Sequence, residues 1–320
     1  MAHGFVHWLA STGHRIDVWS NVFASESPRV QHRPLDAKGR GIRRKAEGLV
    51  TALARIDTGA YDAFLHFERG GRDAPFRAGA GCAAAQASGE APSRHWTTIV
   101  EIDKHACQDA QPLIVNSSMV RDQMVAHYGL EKLQIRLVRN GVDLERFVPG
   151  PRSHRPAMVF VGDNARRKGL ARALRALLLM PGVALHVVGD VGWGARAQAR
   201  RLGLSDRVLF HGSVADPERI ISQANVMVLP THYDASANAV LEALACGVPV
   251  ITTPTNGAAE FLPEGWMTVD RPDEASVWAE ALHRAMSEPG LPAICRDVAS
   301  AHPSGKAFES LLSSVTGGCA

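Results

Sequence analysis

The strongest constraint in this chain is a series of short apolar runs that are hydrophobic on both faces. "AMVFVGD" (157–163), "ALHVVGD" (184–190), "RVLFHGS" (207–213), "VMVLPTH" (226–232) and "VPVITTP" (248–254) recur at regular intervals. Helical spacing fills the gaps, at 169–180, 193–202, 216–223 and 237–246. A strand apolar on both faces must be covered on both, and strands joined by helices run parallel. The pattern therefore predicts a doubly wound α/β domain. An earlier series, "HRIDVWS" (14–20), "YDAFLHF" (61–67), "PLIVNSS" (112–118) and "QIRLVRNG" (134–141), predicts another, with helical spacing at 43–55 and 119–128. The break at Pro149-Gly150-Pro151 sets expected boundaries of 1–148 and 149–302, with a last helix near 303–317 returning to the first domain. Open parallel sheets bind ligands beyond the carboxyl ends of their strands, so two such domains are expected to face a ligand-binding cleft.

The start departs from the pattern. "MAHGFVHWLA" reads as an amphipathic helix with Phe5, Val6, Leu9 and Ala10 on one face, and "GHRIDVW" is the strand after it. A doubly wound domain ordinarily opens on a strand, so the expectation is an N-terminal domain lacking its first strand and turn.

Composition excludes several classes. A net charge of +3 gives no reason to expect nucleic acid. No apolar run approaches the roughly 20 residues that cross a bilayer, and the opening residues lack the basic and apolar regions of a signal peptide. The cysteines at 82, 107, 246, 295 and 319 form no Cys-x-x-Cys pair, which argues against a disulfide framework or a zinc site and for a cytoplasmic setting. The cationic run "KGRGIRRK" (Lys38 to Lys45) reads either as a solvated loop or as a surface for anionic lipid or a phosphorylated acceptor. The histidines show no metal-binding spacing, and no Gly-x-Ser-x-Gly elbow is present.

Four stretches carry candidate chemistry. In "FVGDNARRKG" (160–169) a strand ends at Gly162, and Arg167-Lys168-Gly169 opens a helix. Helix amino ends favour anions, and an Arg fork beside a Lys point charge suits a diphosphate. In "HYDASANAVLEALACGVPVITT" (232–253) Asp234 sits in the loop after a strand, and Glu242 lies nearly two turns into the next helix. Small residues at Ala235, Ser236 and Ala237 let a ligand approach the backbone, and N–H groups at 236–238 are candidate phosphate or sugar donors. An acid among Ala239, Val240, Leu241, Ala243 and Leu244 is costly unless it meets a ligand; a ribose offers two hydroxyls. The other reading is a Glu turned to solvent. "VRNGVDLERF" (138–147) carries a turn signal at Asn140-Gly141 that suits a hinge or a plain turn. "FERGGRDAPFRAGAGCAAAQ" (67–86) reads as a glycine-bearing loop whose cations Arg69, Arg72 and Arg77 suit an anionic acceptor, or as a mere connection.

Together these stretches resemble the family 4 retaining glycosyltransferases, which have the GT-B fold. The family's acid-x7-Glu motif before a Gly-x-Pro-Val strand matches Asp234, Glu242 and "GVPVITT". The resemblance implies that Asp234 contacts the donor sugar, Glu242 the ribose, and Ala235 to Asn238 the phosphate and sugar through their backbone. It also implies that Arg167 and Lys168 hold the diphosphate beside Gly162, with Gly212 in the same nucleotide-sugar set. "FERGG-x-D-x-x-x-RAG-x-G" and "VNSSMVRDQMVAHYGL" are similar to the lipopolysaccharide-core glucosyltransferase subgroup. That subgroup implies an acceptor-side first domain, an NDP-sugar donor of UDP-glucose type, a lipopolysaccharide-core or related lipid-linked glycan as acceptor, and no metal cofactor. It also implies a cytoplasmic enzyme that works at the inner face of the bacterial cytoplasmic membrane. Transfer would be by front-face attack with retention. Asp163 stands where the family often has Arg, and Ala80 where the subgroup has an acid. With the expected lack of the opening strand, these positions favour the alternative, a degenerate nucleotide-sugar-binding protein with little or no transfer.

Overall fold

The computed structural model describes residues 1–35, 42–69, 74–91, 93–262 and 268–317. The chain forms two compact units, Met1–Asn140 with Gly305 onward, and Gly141–Ser304. The first boundary falls before the Pro-Gly-Pro stretch because residues 141–148 belong to the second unit. Val142 exchanges backbone hydrogen bonds with His302 and Ser304 (3.0 and 2.9 Å), and Phe147 is buried in the second core. Asn140-Gly141 is thus an extended crossing rather than a tight turn. A Cβ on Gly141 would lie 2.6 Å from the Pro303 carbonyl oxygen.

In the first unit, α1 (Ala2–Ser11), β1 (Ile16–Ser20), β2 (Val30–Pro34) and α2 (Ile42–Leu53) come first. Then follow β3 (Phe76–Arg77), α3 (Ala83–Ser88), α4 (Arg94–Gln108), β4 (Leu113–Val115), α5 (Ser118–Tyr128) and β5 (Ile135–Leu137). β1 and β2 pair in parallel, and β3, β4 and β5 form a separate parallel sheet. Two expectations fail here. The stretch 61–67 is not a strand: it makes a single bridge, His66 to Phe76. The supposed glycine loop 67–86 contains β3, which is buried, and the start of α3, of which Ala83 is buried. Gly70, Gly71 and Arg72 lie outside the described residues, as do positions 38–41 of the cationic run; Arg44, in α2, is exposed.

The second unit holds β6 (Ala157–Val161), α6 (Leu170–Leu178), β7 (Ala184–Val188), α7 (Gly192–Arg201), β8 (Val208–Gly212) and α8 (Pro217–Ile221). β9 (Val226–Leu229), α9 (Asn238–Ala245), β10 (Val250–Thr252), α10 (Ala275–Ser287) and α11 (Leu291–Ser300) complete it. The last helix, α12 (Ser304–Thr316), packs Phe308 against Phe5 of α1 in the first unit. The strand order is β10-β9-β6-β7-β8, all parallel. The chain starts in the middle at β6, winds outward through β7 and β8, then returns to β9 on the other side. The winding direction therefore reverses between β6 and β9. β6 and β9 are buried almost throughout, whereas the edge strand β8 alternates, as coverage by helices on both faces requires. Among the described residues no helix is long and apolar enough to cross a membrane.

Gly169 ties the loop after β6 to the loop after β9. Its φ is +77°, and a Cβ there would sit 1.9 Å from the Pro230 carbonyl oxygen. Gly203 has a similar φ, +70°, with nothing within 4 Å of its Cβ position. Gly203→Ala should therefore cost only about 1 kcal/mol for the left-handed backbone. Gly169→Ala adds a backbone collision and should cost more than about 3 kcal/mol, read from urea unfolding of both variants against the parent.

Candidate active site

The reversal of winding between β6 and β9 is where an open α/β sheet leaves a crevice beyond its strand ends. The loops that leave those two strands carry the charged residues. After β6, Gly162 takes φ +151°, and the Lys168 side chain lies against it: a Cβ would meet Lys168 Cγ, Cδ and Cε at 3.1 to 3.2 Å. Asn164 adopts φ +59°, its side-chain oxygen accepts the Arg167 N–H (3.1 Å), and its carbonyl accepts the Lys168 N–H (3.0 Å). The loop therefore delivers Arg167 and Lys168 side by side. After β9, the Arg167 carbonyl accepts the His232 N–H (2.8 Å) and the Thr231 hydroxyl (3.0 Å). The two loops are sewn together by backbone.

Asp234 joins them by charge. Lys168 Nζ lies 2.7 Å and Arg167 3.0 Å from the same Asp234 oxygen, and Arg167 also donates to the Tyr233 carbonyl (3.0 Å). Asp234 and Lys168 are both buried, whereas Arg167 is part-exposed. Two cations thus share one carboxylate. The structure thus brings together the residue pair expected for a diphosphate and the acid expected for a sugar.

Ala235, Ser236 and Ala237 are buried and lead into α9. The helix begins at Asn238, which is exposed, not at Ser236 or Ala237. The Ala237 N–H is already donated to Asn256 (3.3 Å), so it is withdrawn from the expected set of ligand donors. Glu242 is the fifth residue of α9, little more than one turn in rather than nearly two. Burial pushes its carboxyl up, opposed by the nearby charges of Arg146 and Lys168. Gly212 stands apart. It ends the edge strand β8, two strands from β6, and its carbonyl accepts the Gly189 N–H (2.8 Å). Asp163 is exposed, and its side chain accepts the Asp190 N–H (2.7 Å), so it braces the loop after β7.

The residues that hold this site in place do not stand out in the sequence. Asn256 takes the Ala237 and Ala258 N–H groups on one oxygen and donates to Thr252. Asp234 is gripped by backbone bonds to Thr255 and Gly257 (3.0 and 2.8 Å). Thr253 donates to the Thr231 carbonyl (2.7 Å). The only signal is a polar run, "TTPTNG", after a buried strand.

In the first unit Arg69 and Arg77 of the 67–86 stretch turn inward. Arg69 pairs with Asp103, which is fully buried and also accepts from Tyr128 (2.6 Å) and Ala83 (2.8 Å). Arg77 is buried, donates to Asn140 (2.7 Å) and Val138 (3.2 Å), and is pulled down to about 10 by burial. Both are structural, which removes them from the expected acceptor surface. Ala80 is exposed.

Residues 155–288 match the family model described as glycosyl transferases group 1. The match falls within the second unit. Curated proteins similar to this chain include the D-inositol 3-phosphate glycosyltransferases of Actinosynnema mirum and Mycobacterium marinum. The first is 31% identical over 238 residues, 65% of this chain and 56% of that protein. The second is 29% identical over 219 residues, 62% of this chain and 47% of that protein. The chain spans about half the length of these relatives. Among solved structures, WaaG, a glycosyltransferase involved in lipopolysaccharide biosynthesis, superposes with a TM-score of 0.83 at 19% identity, covering 98% of this chain and 96% of its own. Anabaena Alr3699/HepE, solved with UDP and glucose, gives 0.78 at 17% identity, covering 98% and 94%. The fold is GT-B.

The second unit offers a direct test at Glu242. Its folded pKa is raised, so the folded chain keeps the proton to a higher pH than the unfolded chain. The resulting stability is present in full below the unfolded carboxylate pKa and is lost as pH rises through the folded value. Glu242→Gln stays neutral throughout. Its Tm should match the parent near pH 4 and exceed it by a few degrees at pH 8, in paired thermal melts.

Proposed function

We propose that this chain is a retaining hexosyltransferase that uses an NDP-sugar, of UDP-glucose type, to glycosylate a lipopolysaccharide-core or related glycan acceptor. One observation carries the reading: Arg167, Lys168 and Asp234 converge where the sheet's winding reverses, on a group 1 glycosyl transferase domain. The cation pair suits a diphosphate, and the amino end of α9 adds about half a positive charge. Glu242, costly to bury as an anion, suits the two hydroxyls of a ribose. Asp234 suits the hydroxyls of the sugar. Two structures of the same fold agree with this donor and acceptor class: WaaG is involved in lipopolysaccharide biosynthesis, and Alr3699/HepE has been solved with UDP-glucose.

The chemistry follows from positioning and charge. An acceptor hydroxyl forms a bond to the anomeric carbon as the bond from that carbon to the β-phosphate oxygen breaks. Its proton passes to the departing phosphate, on the same face, so configuration is retained. Arg167 and Lys168 neutralise charge building on the diphosphate, and electrostatic stabilisation of this kind is usually the main source of rate enhancement. No metal is assigned a part, because the cation pair offers the diphosphate its counter-charge. The cationic run at Lys38–Lys45 is proposed as the contact with an anionic membrane face, where a lipid-linked acceptor resides.

A second reading, donor binding with little or no transfer, draws on Asp163, which gives the phosphate side an acid held by the loop after β7, and on the uncharged, exposed Ala80.

Titration calorimetry with UDP and with inorganic diphosphate separates the roles. Lys168→Met should weaken both ligands by about 2 kcal/mol, roughly 30-fold. Glu242→Ala should weaken UDP and leave diphosphate unchanged. If both ligands lose equally in Glu242→Ala, the ribose role is wrong. Incubation with labelled UDP-glucose and a heptose-terminated glycan decides between the readings: transfer supports the enzyme, and binding without transfer supports the binding protein.

A further inference from the structure

The edge of the second sheet carries a feature that no part of the proposed reaction uses. Along the β7–β8 pair, Leu185, His186 and Val187 stand opposite Val208, Leu209 and Phe210 in step, but Val188 stands opposite Gly212. His211 is therefore the extra residue of a bulge. Bulges are rare between parallel strands, and they serve to re-aim a side chain. The side chain re-aimed here is an imidazole, and it meets another. His186 and Leu209 lie directly opposite, so they share one face of the sheet, and His211, two residues on, shares it too. His186 Nδ1 and His211 Nε2 lie 3.0 Å apart. The rings are stacked at 12°, with centroids 5.2 Å apart.

Two neutral imidazoles this close share one proton, one ring donating and the other accepting. A metal ion can take the place of that proton. The proton then moves to the far nitrogen of its own ring, so none is lost, and small ring rotations turn both lone pairs to the ion. With metal–nitrogen bonds of about 2.0–2.1 Å, nitrogens 3.0 Å apart subtend about 95° at the ion. That is close to the right angle between neighbouring ligands of an octahedral or tetragonal ion such as Ni(II) or Cu(II), both of which imidazole suits. It falls short of the roughly 110° that tetrahedral zinc requires. His211 and Leu209 are exposed and His186 is half-buried, so the face is open to solvent. Among the described residues no group of three or more His, Cys, Asp or Glu side chains is placed to hold a metal, which leaves the remaining positions to water. Burial and the neighbouring His211 hold His186 below the ordinary histidine range, so its ring is neutral and able to ligate at pH 7.

We propose that His186 and His211 form a cross-strand site for a divalent transition-metal ion of octahedral or tetragonal preference, with water completing its coordination. A bound ion ties the edge strand β8 to β7 across the bulge, where the ladder is out of step. The spacing of 25 residues hides the pair in the sequence; only the bulge brings the rings together. The proposal stands whether or not the donor-site reading holds, since β8 lies two strands from β6.

The test uses the full chain carrying His7→Gln, because His3 and His7 form another imidazole pair on α1, with nitrogens 3.2 Å apart. Nickel(II) chloride is titrated by calorimetry in a non-coordinating buffer, and Tm is measured with and without the ion. A single nickel ion per chain should bind, and saturating nickel should raise Tm by a few degrees. His186→Gln and His211→Gln, added singly, should each weaken binding at least about tenfold and abolish the rise in Tm. Combined, they should cost little more than either alone, since they remove one shared ion. Binding that survives both substitutions, or that falls with only one of them, overturns the proposal. A second measurement does not depend on either substitution. Substoichiometric nickel should broaden the ring signals of His186 and His211 in NMR spectra before those of the other histidines; broadening elsewhere first overturns the proposal as well.

Discussion

The approach of Gly169 to the Pro230 carbonyl is the contact on which the site rests. It brings the loop after β6 onto the loop after β9 at a distance no side chain allows. Everything that follows depends on this closeness. The Arg167 carbonyl reaches His232 and Thr231, Arg167 reaches the Tyr233 carbonyl, and both cations reach Asp234. Arg172 supports the junction from α6, donating to Pro230 and pairing with Asp273. The sheet supplies the cause further back, because parallel strands wound from the middle outward put these two loops beside one another.

Much of the second unit is legible in the sequence, for a physical reason. Its strands are buried on both faces, so they appear as unbroken apolar runs that few other structures tolerate. Arg167, Lys168 and Asp234 are legible because each follows such a run. Glu242 stands out as an acid on an apolar helix. The supports of the site are not legible: Asn256 and Thr253 act through single hydrogen bonds to backbone that the fold brings near, and one-dimensional spacing carries no trace of that. Gly212 shows the opposite error. A glycine at a strand end resembles its neighbours, but the strand order places it two strands away.

The first unit is harder to read because its strands are short and its charges are buried. "FERGGRDAPFR" suggests a cationic surface, yet Arg69 and Arg77 are consumed inside, by Asp103 and by Asn140 with the Val138 carbonyl. A buried arginine and a solvent-facing one look alike in sequence. Likewise 61–67 has the composition of a strand but pairs at one residue, while β3, with two residues, is hidden amid glycines. β2, whose "VQHRP" lacks an apolar run, pairs along its whole length with β1.

The sharing of Asp234 by two cations has a consequence for selectivity. An anion that enters must offer Arg167 and Lys168 more than the carboxylate already gives them. A solitary inorganic phosphate would have to displace an internal partner and leave it buried without compensation. A ligand that brings both a multivalent anion and hydroxyl donors gives the released carboxylate something to hold. Under the proposed donor role, the resting ion pairs set a threshold that favours a ligand with both a multivalent anion and hydroxyls over the same anion alone.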